Sequence, residues 1–288
     1  MAMSTKKSPR HSFSEKGDRG GFHTPRKRFG QHFLHDKMII QRLVDLIAPL
    51  PEQHIVEIGP GQGALTVPIL KKTKQMDVIE LDRDLIPALK SRCKEHGTLD
   101  VHEADALAFD YATLIRNGQP IRLIGNLPYN ISTPLIFHLL EFAPNIIDMH
   151  FMLQKEVVER LAANVDDEAY GRLSIMVQYH AQAISLFHVP PAAFYPPPQV
   201  DSSVVRIIPY QTIPHRAENY AHFENLVKQA FSQRRKTLRN SLKNLLTDQD
   251  WERAHIDPHL RAEQVSVKDY VILSNTLVET SDVNVRNR

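Results

Sequence analysis

The sequence predicts an α/β fold: a mostly parallel sheet with helices on both faces, followed by a small helical domain. Three observations predict it. Strand-like and helix-like apolar periods alternate from residue 38 to about 155. A glycine-rich turn, Gly59-Pro60-Gly61-Gln62-Gly63, links a predicted strand to a predicted helix. Acids, Glu80 and Asp105, stand at the ends of the next two strands. Sheets of this kind bind ligands beyond the carboxyl ends of their strands.

The elements follow in order. Residues 38–47 carry Ile39, Leu43, Leu46 and Ile47 at helical spacing, and the helix stops near Pro49. Residues 54–58 read as a strand entering the glycine turn, and 64–72 as the helix leaving it. A strand at 76–81, a helix at 85–96 and a strand at 99–103 come next. The run 121–125 is a buried strand, with a helix at 135–142 after it. A strand at 150–153 and a helix at 157–163 complete the alternation, and there is no internal repeat. Beyond Asp166-Asp167 the pattern changes. A helix is expected at 173–178, and strands at 183–188 and 203–208 flank the proline-rich 189–198. From about Ala221 the chain reads as helical and basic, with 209–214 as linker and fraying from Ser281. The predicted organisation is a basic arm over 1–25, a sheet domain over 26–210 and a small helical domain over 211–288.

The 288 residues are 42% hydrophobic, ordinary for a protein with a real core. No apolar run approaches the ~18–20 residues of a membrane span. The lone Cys93 excludes an internal disulfide and fits a reducing compartment such as the cytoplasm. Fifteen histidines include no HExxH-type spacing, so no metal site is expected. Charge is unevenly placed. Residues 1–30 hold eight Lys/Arg against Glu15 and Asp18, a net +6, while the whole chain carries only +2. A near-neutral body with a basic arm suggests a polyanionic partner. The arm has no apolar core of a secretory signal and is expected to be disordered when free. A transit peptide or a solubilising tail are its other readings.

The glycine turn allows a ligand to approach the backbone closely. Its G-x-G-x-G spacing differs from the G-x-G-x-x-G of dinucleotide folds. Glu80 lies about twenty residues on, where a carboxylate accepts from both ribose hydroxyls, with Asp82 as a rival. Asp105 can accept from an adenine amine. A glycine loop, a ribose acid and an adenine acid describe an adenosine site without a phosphate requirement. S-adenosyl-L-methionine fits that description better than NAD.

Asn126-Leu127-Pro128-Tyr129 follows the strand at 121–125. An exocyclic base amine is a poor nucleophile because its lone pair is delocalised into the ring. Acceptors on its N–H groups must turn that lone pair toward an electrophile. The Asn126 side-chain oxygen and a carbonyl of Leu127 or Pro128 can do so. Pro128 restrains the chain, and Tyr129 offers a face for a base to stack on. The segment therefore points to methylation of a nucleobase amine.

At this stage the chain resembles the bacterial small-subunit ribosomal RNA adenine dimethyltransferases, from about Arg26 to Tyr270. The resemblance rests on Lys27-Arg28-Phe29-Gly30-Gln31-His32-Phe33-Leu34, on 57–63, on Asn126-Leu127-Pro128-Tyr129-Asn130-Ile131-Ser132 and on Phe194-Tyr195-Pro196-Pro197-Pro198-Gln199-Val200-Asp201-Ser202. The basic stretch 223–242 matches as well. The resemblance implies a Rossmann-like S-adenosylmethionine-dependent methyltransferase sheet. It implies that two adjacent adenines in the 3′-terminal hairpin loop of 16S rRNA are each dimethylated at N6, in immature small ribosomal subunits. It places His32 and Leu34 at the methionine end of the cofactor, largely through backbone. Gly59 and Gly61 would lie against the cofactor, with Glu80 on its ribose and Asp105 on its adenine. Asn126 would bridge the cofactor and the target amine, and Phe194 would sandwich the adenine against Tyr129. Arg234, Arg235, Lys236 and Arg239 would contact RNA phosphates. The alternatives are a large-subunit rRNA adenine methyltransferase and an assembly checkpoint acting mainly by binding. A monomer is assumed.

Overall fold

The structure is a computed structural model that describes residues 31–233 and 235–286, with side chains described through Leu277. The arm (1–25), Lys27, Arg28 and Arg234 lie outside the described residues.

The strands are β1 Phe33–Leu34, β2 His54–Ile58, β3 Gln75–Glu80, β4 Thr98–Glu103, β5 Ile121–Asn126, β6 Ile146–Gln154, β7 Ala181–Val189, β8 Phe194–Tyr195 and β9 Ser202–Pro209. The helices are α1 Lys37–Ile47, α2 Thr66–Thr73, α3 Ile86–Cys93, α4 Ser132–Leu140, α5 Lys155–Ala162, α6 Arg172–Gln178, α7 Tyr220–Ala230, α8 Leu238–Ser241, α9 Asp248–Ala254 and α10 Val267–Arg286.

Among the described residues the main sheet has the order β4-β3-β2-β5-β6-β9-β7. β2 to β6 pair in parallel, and β9 runs antiparallel to both β6 and β7. Alternation along each strand feeds two cores. Ile55, Val78, Ile124 and Met152 face Leu43 and Ile47 of α1, Ile69 of α2 and Leu89 of α3. Val56, Ile79, Leu123 and Phe151 face Leu135 and Leu139 of α4 and Val158 of α5. Helices cover both faces, so β2 is buried along its whole length, His54 and Glu57 included. α1 starts where the Asp36 carboxylate accepts from the N–H groups of Met38 and Ile39. It ends at Ala48 in the left-handed region, immediately before Pro49.

The chain first winds outward from β2 through β3 to β4, then returns to place β5 on the other side of β2. That reversal opens a crevice between the carboxyl ends of β2 and β5. Their approach is close: a Cβ on Gly125 would come 2.5 Å from the Ile58 carbonyl oxygen.

Several elements differ from the sequence expectation. β6 starts four residues early, at Ile146, because Asp148 is an interior strand residue held by two arginines. The proline-rich segment contains β8, which pairs with β1. The helical, basic stretch after Ala221 divides into several helices. α7 ends at Ala230, and α8 restarts where Leu238 and Arg239 donate to the carbonyls of Leu260 and Pro258. The last helix remains regular through Arg286, past Ser281, and no Gly or Pro interrupts it. A third core surrounds Phe223, Leu226, Trp251 and Tyr270, and it recruits Tyr170, Ile175, Met176 and Tyr179. The helical core thus reaches back before residue 210, because α6 packs on α7. Among the described residues no helix is long and apolar enough to cross a membrane.

Candidate active site

A cavity of about 370 Å³ lies beyond the carboxyl ends of β2, β3 and β5. Its wall brings together His32, Leu34, Gly59, Gly61, Glu80, Asp105, Asn126, Leu127, Pro128 and Tyr129. Local backbone demands explain the glycines. Gly59 has φ +67°, which strains any L side chain. A Cβ on Gly61 would press to 3.1 Å from the Phe33 ring.

Glu80 is held from two sides. One carboxylate oxygen accepts from the Gly61 N–H at 3.1 Å, and the other accepts from the Asp82 N–H at 2.8 Å. Burial raises its pKa, the Asp82 charge adds to that, and the backbone donors offset only part. The rival Asp82 is buried and accepts from the Gln31 side-chain amide at 3.0 Å, so it has structural work of its own. Asp105 is exposed and accepts from the Leu107 N–H at 3.0 Å. No Lys or Arg lines the cavity among the described residues. The described wall therefore suits a ribose and a purine, and it presents no side-chain cation to a pyrophosphate.

At the end of β5, the Asn126 Nδ2 donates to the His32 carbonyl at 2.8 Å. The amide is thereby oriented, and Oδ1 is left as its acceptor. The Leu127 N–H donates to the Met152 carbonyl at 3.2 Å, which ties the loop to β6. The Ile131 N–H donates to the Pro128 carbonyl at 3.2 Å. The His32 ring stacks on Tyr129, with centroids 5.9 Å apart and planes 24° from parallel. Its Nδ1 donates to the Pro196 carbonyl at 2.7 Å, since a carbonyl oxygen only accepts. The Tyr129 hydroxyl shares a hydrogen bond of 2.7 Å with Ser202. Burial raises the Tyr129 pKa, and Ser202 opposes that shift.

Phe194 is placed differently from the expectation. It is 2% exposed, packs in the same core as Leu34 and Ala193, and is absent from the cavity wall. The reason is register. Leu34 lies opposite Phe194, and both point inward. Phe33 lies opposite Tyr195, on the other face. Arg235, Lys236 and Arg239 are exposed on the helical unit, away from the cavity wall. Arg239 pairs with Asp248 at 2.7 Å, an acid just beyond the acid-free run 225–247.

Among the acids of the wall, Glu57 received no role from sequence. It is buried and accepts from the Thr66 hydroxyl at 2.6 Å. Burial drives its pKa up to about 8, with the Thr66 hydrogen bond opposing and the Glu80 charge adding. The available signal was an acid inside the apolar run His54-Ile55-Val56-Glu57-Ile58. The folded protein keeps a proton here that the unfolded chain releases above about pH 4.5. Glu57 therefore costs stability increasingly from pH 4.5 to 8, and the cost levels off above that. Glu57→Gln mimics the neutral acid and can still accept from Thr66. We expect it to stabilise the fold by about 2 kcal/mol at pH 8, with the gain fading toward pH 4.5. Thermal melts across that range check this, and a gain independent of pH refutes it.

The comparisons with known proteins agree with this geometry. The family model for ribosomal RNA adenine dimethylase matches residues 22–279. A Pseudomonas aeruginosa protein named ribosomal RNA small subunit methyltransferase A is 55% identical over 257 residues, 89% of this chain and 96% of its own length. A crystal structure of a Plasmodium falciparum dimethyladenosine transferase superposes with a TM-score of 0.74 at 28% identity, covering 88% of this chain and 98% of that one. The 23S rRNA methyltransferase ErmE shares the fold, with a TM-score of 0.69 at 22% identity over 85% of this chain and 99% of its own. With a family model matched over residues 22–279 and a relative 55% identical over most of both chains, this protein belongs to the ribosomal RNA adenine dimethylase family.

Proposed function

We propose that this protein dimethylates N6 of two adjacent adenines in the 3′-terminal hairpin loop of 16S rRNA, acting as a monomer on immature small ribosomal subunits in the cytoplasm. The observation that carries the reading is the placement of the Asn126–Tyr129 loop on the wall of the cavity that Gly59, Gly61, Glu80 and Asp105 also line. S-adenosyl-L-methionine is the methyl donor of this enzyme, and when bound it supplies an electrophilic methyl group. The cavity fits it: glycines permit close approach, Glu80 and Asp105 are acceptors, and no cation among the described lining residues calls for a phosphate.

The remaining work falls to the chain's own residues. In this reading Asn126 Oδ1 accepts one N–H of the target amine. The Leu127 carbonyl is the natural second acceptor, because the Pro128 carbonyl already receives the Ile131 N–H. Tyr129, braced by Ser202 and His32, stacks on the adenine. Phe194 reaches the base only if the β1/β8 pair shifts to release it. Alignment is the main contribution, and well-oriented reactants can gain roughly 7–11 kcal/mol. No residue on the wall need act as a strong base, since the methylated ammonium loses its proton to water readily. The second methylation presents an amine with one N–H, so the two acceptors need not both be satisfied in each round. Arg235 and Lys236 are proposed to touch rRNA phosphates outside the cavity.

Mass spectrometry of small subunits isolated without this methylation, before and after incubation with protein and cofactor, tests the proposal. Two N6,N6-dimethyladenines in the 3′-terminal hairpin are expected. Cofactor binding without methylation there would redirect the search to large-subunit RNA or to a role in assembly by binding alone. Glu80→Ala should raise the cofactor dissociation constant by about tenfold or more, since bonds to a charged acceptor contribute ~1.5–3 kcal/mol. Isothermal titration reads this directly, and an unchanged constant moves the ribose role to another acid.

A further inference from the structure

We propose that Tyr195 is a stacking platform for the unpaired base next to the target adenine, an inference that rests on the function proposed above. Tyr195 is 66% exposed, the most exposed aromatic side chain in the exposed apolar set of this fold. Its ring has no aromatic partner and its hydroxyl no hydrogen bond among the described residues. The β1/β8 register places it directly across from Phe33, itself a residue of the cavity wall. Phe194, one residue earlier, is on the buried face. Neither ring lines the cavity, and the aromatic that the segment 194–198 presents to solvent, beside the Phe33 of its wall, is Tyr195.

The platform is also tied to the site. Pro196, the next residue, gives its carbonyl to His32 Nδ1, and the His32 ring stacks on Tyr129. The three consecutive prolines 196–198 restrict the backbone that carries the ring. A base brought to Tyr129 must leave its own stack, which uncovers the face of its neighbour. An exposed ring on a proline-restricted backbone, linked to Tyr129 through Pro196 and His32, can re-cover that face without demanding a base identity. The chemistry favours any unpaired base there, purines most because of their larger face.

Steady-state methyl transfer to unmethylated small subunits tests this with Tyr195→Ala, Tyr195→Phe and Tyr195→Leu, alongside the cofactor dissociation constant of each variant. Tyr195→Ala should raise KM about 5- to 150-fold, from the usual ~1–3 kcal/mol of one base–aromatic stack. Its kcat and cofactor binding should change by less than about twofold on the same reasoning, which also shows that the variant is folded. Tyr195→Phe should rescue KM, and Tyr195→Leu should stay near Tyr195→Ala. A wild-type KM in Tyr195→Ala overturns the inference alone, as does equal rescue by Leu and Phe. If the wild-type protein leaves the adenines unmethylated, the proposed function falls and this inference with it.

Discussion

Asn126→Ala is expected to lower kcat for methyl transfer by about 10²–10³-fold, a loss typical of removing one group preorganised for the transition state. The change removes two things at once. Oδ1 disappears as the acceptor that turns the amine lone pair toward the methyl group. Nδ2 disappears as the donor to His32, at 2.8 Å, so the His32 backbone loses its tether to the end of β5. Cofactor binding should weaken much less, because the glycine turn and Glu80 lie on β2 and β3 rather than on β5. Asn126→Asp separates the two effects. It keeps an acceptor but sets a carboxylate against the His32 carbonyl, so it should also be slow. Single-turnover methyl transfer beside calorimetric cofactor titration distinguishes these cases. Wild-type turnover in Asn126→Ala would remove Asn126 from the mechanism.

The parts of this site that sequence made legible are those whose chemistry is local. Glycines at 59 and 61 announce a backbone that strains most other residues, and both carry positive φ. Glu80 and Asp105 could be placed because strand ends are readable from apolar runs that stop. Placement failed where it depends on pairing across a long separation. Phe194 and Tyr195 are neighbours, and either ring could face a base. Which one turns inward is set by the pairing of β8 with β1, about 160 residues away in sequence. The partner of Arg239 is Asp248, just beyond the basic window, and it was invisible until α9 folded back. The helical core crossed its expected boundary for a similar reason. Tyr170 and Tyr179 look like ordinary residues of a short helix region, but the Tyr170 hydroxyl donates to the Val265 carbonyl, and the Ala217 N–H donates to the Tyr179 hydroxyl. β6 was cut short because a charged residue within a strand ordinarily marks its end.

That same residue, Asp148, underlies the largest stability effect expected here. Its carboxylate is fully buried and receives the Arg122 guanidinium at 2.8 and 3.0 Å and the Arg206 guanidinium at 2.9 Å. Burial alone would raise its pKa, but the Arg122 hydrogen bonds and the neighbouring positive charge hold it below the usual carboxylate range. His150 does not share the task, because burial pushes its imidazole down to about 4 and leaves it neutral at pH 7. Asp148→Ala strands a buried Arg122 without its counter-charge. Breaking one side of such a pair costs about 3–5 kcal/mol, or roughly 10 °C in Tm for a chain of this size. The folded pKa is depressed, so this stabilisation is complete above the unfolded value of about 3.9 and is lost as pH falls through the folded one. The gap in Tm between the two proteins should therefore be constant near neutrality and narrow only below about pH 4. Replacing both partners, Asp148→Leu with Arg122→Met, should lose less than Asp148→Ala, because no buried charge remains unpaired on β5 and the exposed side of Arg206 can reach water. Arg122 enters the strand that Asn126 leaves, so the network fixes β5 at the end opposite the chemistry. Well below its lowered Tm, Asp148→Ala should then keep the methyl-transfer rate of the wild-type protein. A loss of rate without a loss of stability would mean that this buried network shapes the Asn126 loop itself.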